Sequence, residues 1–118
     1  QNNISKLKRI KKLNCRNNTH ITDINNFSET LEELNCSGAH CVLGQNGISK
    51  LKKLRVLECY CNNNIYNLNH MAKTLEDLNC SWSNSIDLNG ISELCNLKKI
   101  ECRGNKNICM YEPIFCNN

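Results

Sequence analysis

No apolar run in this sequence approaches the roughly 20 residues that a helix needs to cross a bilayer. No positively charged stretch leads into an apolar core at its start, so neither a leader nor a membrane span is expected. A glycine-rich phosphate loop and a nucleophile with a base at motif spacing are also missing. Paired Cys-x-x-Cys ligands of a zinc site are absent too, and His20, His40 and His70 hold unrelated places. Together these absences point away from an enzyme, from a metal and from any cofactor. Charge is not extreme either: +4 with pI ≈ 8.5, below the domain pI above about 9 that marks nucleic-acid binders. No nucleic acid and no membrane is therefore expected as a partner.

Asparagine and cysteine are abundant instead. The five Asn-x-Ser/Thr sequons at Asn3, Asn17, Asn26, Asn35 and Asn79 follow from the asparagine content alone. The ten cysteines would suggest a disulfide framework in a small secreted chain. Half of them have a different explanation. Ile10-Lys-Lys-Leu13-Asn-Cys15, Leu31-Glu-Glu-Leu34-Asn-Cys36, Leu54-Arg-Val-Leu57-Glu-Cys59, Leu75-Glu-Asp-Leu78-Asn-Cys80 and Leu97-Lys-Lys-Ile100-Glu-Cys102 are one pattern, with starts spaced by 21, 23, 21 and 22 residues. A fixed period of this size means a solenoid whose units bury their apolar faces by stacking on neighbours. The five recurrent cysteines then act as small inward hydrophobes in a reducing compartment, which predicts free thiols and a cytosolic protein.

Between the pattern copies, Asn46-Gly-Ile48 and Asn89-Gly-Ile91 alternate with the shorter Asn25-Asn-Phe27 and Asn69-His-Met71. Six to eight residues leave room for one or two helical turns or a 3₁₀ piece, with the asparagine placed to cap the turn. The basic run Lys6 to Lys12 has a twin at Lys50 to Arg55, which identifies both as solvated segments of a repeat. Six residues after each cysteine comes Ile21, Val42, Ile65, Ile86 or Ile108. Three residues after it comes Asn18, Asn62 or Asn105 in the odd repeats, where a buried amide would bond the turn leaving the strand. Ala39 and Ser83 hold that place in the even repeats, which need another donor such as Ser83 or water. The segment from Asn2 reads as the second half of a preceding repeat, and Pro113 as the first position of a closing turn. Both ends thus read as those of a piece of a longer array, or of one whose ends a partner covers.

The alternation of Leu-x-x-Leu-x-Cys-x-x-Asn with a short helical segment, from residue 2 to 116, resembles the leucine-rich repeat family in its cysteine-containing variant. The Asn/Ile/Lys-rich wording is similar to repeat proteins of AT-rich genomes such as those of amoebal giant viruses or protists, where the compartment would be the host cytoplasm. The resemblance implies an α/β fold: one domain over 1–118, a right-handed arc with parallel concave strands near 12–16, 33–37, 56–60, 77–81 and 99–103. It also implies a surface used to bind other proteins.

Strand alternation sends Leu13 and Cys15 inward and Lys12, Asn14 and Arg16 outward, and likewise in the other repeats. The outward columns form an acidic and aromatic centre of Glu33, Glu58, Asp77, Tyr60 and Trp82, flanked by Lys12, Arg16, Lys99 and Arg103. The expected partner-binding residues are Glu33, Val56, Glu58, Tyr60, Asp77, Asn79, Trp82 and Arg103. In one reading Tyr60 and Trp82 anchor a protein or peptide while Glu58 and Asp77 pair its Lys or Arg. In the other, Trp82 folds over its own turn with Tyr60 packed beside it. A loose cluster of His20, His40, Cys41 and Cys61 at one edge is weighed as a metal site and set aside as loop residues beside a thiol column. Cys41, Cys61, Cys95, Cys109 and Cys116 share no repeat position, and Cys109 lies near Cys116 in sequence. The alternative to partner binding is assembly, with the ends of the array stacking on one another.

Overall fold

The computed structural model describes residues 9–108, so the expectations for the segment before Arg9, for Pro113 and for Cys109 and Cys116 lie outside the described residues. Within them, each copy of the pattern contributes one short strand. β1 (Lys12–Asn14), β2 (Glu33–Asn35), β3 (Val56–Glu58), β4 (Asp77–Asn79) and β5 (Lys99–Glu101) form one parallel sheet in sequence order. The register stacks the same position of every repeat: Leu13, Leu34, Leu57, Leu78 and Ile100 are neighbours in turn. The protein is thus a small α/β chain with a five-stranded parallel sheet and few helical turns. Among the described residues no helix is long and apolar enough to cross a membrane.

The residues between strands fold as the alternation in length dictates. The shorter segments make 3₁₀ turns at Asn25–Phe27 and Asn69–Met71, and the longer ones make single α turns, α1 (Gln45–Ile48) and α2 (Leu88–Ile91). Their inward residues Phe27, Ile48, Met71 and Ile91 meet Leu31, Leu54, Leu75 and the strand residues in one contiguous core. Each fully buried leucine contributes about 2 kcal/mol of apolar transfer free energy, so the column between sheet and turns carries the fold. Cys15, Cys36, Cys59, Cys80 and Cys102 all lie in it, buried and layered one repeat above another.

Capping departs from the expectation. Asn25 and Asn69 bond the following repeat instead of their own turns. Asn25 Nδ2 donates to the Asn46 carbonyl (2.9 Å) and its Oδ1 accepts from the Lys50 N–H (2.8 Å). Asn69 does the same with Asn89 and Glu93, at 2.9 Å each. Asn25 and Asn69 are themselves the first residues of their turns, one place too late to cap them. Asp87 caps α2, its Oδ1 accepting from the Gly90 N–H at 3.0 Å, and in the 3₁₀ turns Asp23 and Asn67 accept through Oδ1 from the N–H groups of Asn25 and Asn69 at 2.9 Å.

The turn leaving each strand is closed by a shared device in different chemistry. The carbonyls of Cys15, Cys36, Cys59 and Cys80 each accept a hydrogen bond from a side chain of the next repeat. Asn62 Nδ2 donates to Cys36 O (2.8 Å), Asn105 Nδ2 to Cys80 O (3.5 Å) and Ser83 Oγ to Cys59 O. In the second repeat the donor is the Cys41 thiol, 3.5 Å from Cys15 O. That contact corrects two expectations. Cys41 holds a definite place in the core, away from the exposed His20 and His40, and Val42 is turned outward, 40% exposed, with Cys41 and Leu43 buried on either side.

Candidate functional site

Each strand ends where a side chain takes over its next backbone N–H. Asn14, Asn35 and Asn79 accept through Oδ1 from the N–H two residues on, in Arg16, Ser37 and Ser81, at 3.0, 3.0 and 3.1 Å. In β3 and β5 the equivalent residue is Glu58 or Glu101. There the Tyr60 and Arg103 N–H groups go instead to the Oγ atoms of Ser37 and Ser81 in the repeat before, at 3.1 Å each. The strands therefore stop at their third residue and not at the fifth as expected, although a ladder resumes with bonds such as Cys15 N–H to Asn35 O (2.8 Å). Ser37 and Ser81, expected on the open face, are buried by this task. Glu58 and Glu101 are relieved of it and exposed.

The residues expected to contact a partner share one face. Across it the register sets Lys12, Glu33, Val56, Asp77 and Lys99 in one row, and Asn14, Asn35, Glu58, Asn79 and Glu101 in the next. Glu33, Val56, Asp77 and Asn79 are half-buried there, while Glu58 and Arg103 are exposed. A depression of about 360 Å³ opens between β1 and β3, lined by Lys12, Asn14, Glu33, Asn35, Val56 and Glu58 among others.

The acidic centre is more nearly neutral than its strand residues suggest. Arg55, just before β3, stands 3.6 Å from both Glu32 and Glu33 and 3.7 Å from Glu76. Lys12 adds a contact to Glu33 at 3.8 Å. Arg55 closes the basic run that precedes the strand, where the sequence gives no sign of its reach over three carboxylates. Glu58, Asp77 and Glu101 enter none of the ion pairs among the described residues.

At the far end of the strands the backbone turns left-handed at the same position of every repeat: Asn17, Gly38, Cys61, Trp82 and Gly104, with φ of 56°, 108°, 61°, 59° and 73°. Glycine and asparagine tolerate this; for cysteine and tryptophan it costs on the order of 1 kcal/mol. Trp82 lies with its ring over Gly104, where an added Cβ would sit 2.3 Å from ring atom Cδ2. One face of the indole is thus supported by backbone, and the side chain remains 48% exposed. Tyr60 is 38% exposed. The ring thus covers the turn of the next repeat and not its own, while staying half-exposed.

Cys15, Cys36, Cys41, Cys59, Cys61 and Cys95 carry free thiols. Burial, and secondarily the neighbouring Cys41, pushes the Cys15 thiol up to about 12. Burial likewise holds Cys36 and Cys59 well above the usual thiol range. These sulfurs are neutral packing atoms. What the open face offers is amide donors, uncompensated carboxylates and two aromatic side chains, the means of recognition by hydrogen bond, ion pair and stacking. No protein-family model matches the chain and no curated protein matches its sequence.

Proposed function

We propose that the chain is a leucine-rich-repeat solenoid, a right-handed arc, and that it acts as a non-catalytic binding module whose concave face, the open face of the sheet, holds another protein. The observation that carries the reading is Trp82, a tryptophan kept half-exposed in a left-handed backbone conformation at a place where glycine costs nothing. Strained residues persist where a function needs them, and half-exposed aromatic anchors are the residue types that dominate interface energy. Tyr60, Glu58, Asp77, Asn79, Val56, Glu33 and Arg103 complete the surface. The free buried thiols of Cys15, Cys36, Cys41 and Cys59 favour a reducing, cytosolic setting.

The test is capture of a partner by the immobilised chain, identified by mass spectrometry and then reconstituted from purified components. Replacing Tyr60 and Trp82 with alanine abolishes that complex while circular dichroism stays unchanged; Lys52→Ala, in the segment between β2 and β3, leaves it intact. A complex insensitive to the double variant sinks the proposal. Solution mass that rises with concentration and no reconstituted complex would favour self-assembly instead.

A further inference from the structure

We infer that this face takes an extended polypeptide segment laid across the strands, with the Nδ2 groups of Asn14, Asn35 and Asn79 bonding its main-chain carbonyls and a Lys or Arg side chain seated on Glu58. The inference rests on the protein-binding reading and specifies the partner's chemistry.

Three observations carry it. First, the orientation of the three carboxamides is fixed. Each Oδ1 is committed to the N–H of the turn that follows, so each Nδ2 is presented as a donor and not as an acceptor. Second, the strand register sets them in one row with Glu58, in the order Asn14, Asn35, Glu58, Asn79. Three strand spacings, about 14 Å, match about four residues of extended chain, so one stretch of main chain reaches every member of the row. Third, charge decides the side chain. The depression beside Val56 holds two carboxylates and one ammonium. Lys12 and Arg55 are both drawn to Glu33, so Glu58 is left without a cation. A cationic side chain entering between Asn35 and Val56 supplies it, and its methylenes cover Val56. Backbone recognition by the asparagines and charge recognition by Glu58 divide the work: the first is indifferent to partner sequence, the second selects it.

The probe is a display library of linear twelve-residue peptides, selected against the whole chain and remeasured by titration. Recovered peptides carry Lys or Arg enriched at one position. Glu58→Gln weakens them about ten-fold, the loss expected for a charge-assisted hydrogen bond. The decisive variants are Asn35→Asp and Asn79→Asp. Each keeps the Oδ1 that the turn requires and removes the Nδ2 donor, while adding negative charge beside Glu58. Simple attraction of a cationic peptide predicts tighter binding by these variants; the inference predicts binding weakened about ten-fold or more. Tighter or unchanged binding overturns it, as does absence of Lys/Arg enrichment. Peptides that lose binding on Tyr60→Ala with Trp82→Ala, yet ignore the asparagine variants, refute this inference and leave the protein-binding reading standing. Recovery of no peptide, or of peptides indifferent to every variant on the face, refutes both.

Discussion

Trp82 and Gly104 act as a couple in which neither residue is explained alone. The indole rests where any Cβ on residue 104 would have to be, and residue 104 has its own left-handed φ of 73°. Gly104→Ala therefore costs about 2 kcal/mol, read as a drop in the urea midpoint, and shifts the tryptophan emission maximum because the ring is displaced from its support. Cys61 holds the same backbone conformation without such a couple. Cys61→Asn, which copies Asn17 in the first repeat, stabilises by roughly 0.5 to 1 kcal/mol in the same assay. The place of Trp82 at the rim was legible from its position just past the strand, although strict alternation would have turned it inward. The backbone strain of Cys61 and Trp82 was not, because Asn, Gly, Cys and Trp in one column share no property visible in the letters. Arg55 was hidden for a related reason: a long side chain at a strand's edge reaches residues whose sequence positions do not announce it.

Between elements, the informative pattern is the exchange of partners at the strand ends. Where a strand closes with Asn, as in β2, its own amide takes the next N–H; where it closes with Glu, as in β3, the serine of the preceding repeat takes it. Ser37→Ala thus leaves the Tyr60 N–H without an acceptor and costs about 1 to 2 kcal/mol. Glu58→Asn supplies a carboxamide in the place that Asn35 occupies in β2. The double variant recovers about 1 kcal/mol of that loss, which a thermodynamic cycle by urea titration measures. Five copies of the strand and the alternating length of the turns were readable directly from the spacing of the cysteines. The exchange was not, since Asn-Cys-Ser and Glu-Cys-Tyr both look like ordinary exposed polar sequence until the N–H groups are followed to their acceptors. The same tracing explains why the expected asparagine caps became bonds between repeats.

For the molecule as a whole, the buried thiols set an alkaline limit. The folded state holds the Cys15 proton up to about 12, whereas an unfolded cysteine releases it near 9.0. Their contribution is complete below that lower value and declines as pH rises toward the upper one, because the unfolded chain then binds fewer protons. The urea midpoint falls between about pH 8 and about pH 10.5, and Cys15→Ala flattens the decline at the cost of a lower starting stability. The single core was foreseeable from the inward cysteines and aliphatics, apart from the second repeat, where Cys41 and Leu43 replace the expected Val42. The two-way exchange at the strand ends also governs how such a gene can lengthen. Every strand pairs only with its neighbours in sequence, so extra units need no rearrangement elsewhere. A tandem copy of residues 37–80, two repeats together, keeps serine before glutamate at each new junction, and an Asn-closing repeat can be added alone, as β1 beside β2 shows, whereas a Glu-closing repeat copied behind another leaves its N–H without an acceptor. Heritable growth of this architecture by recombination is thereby open to Asn-closing units one at a time, and to Glu-closing units only behind a neighbour that carries the serine.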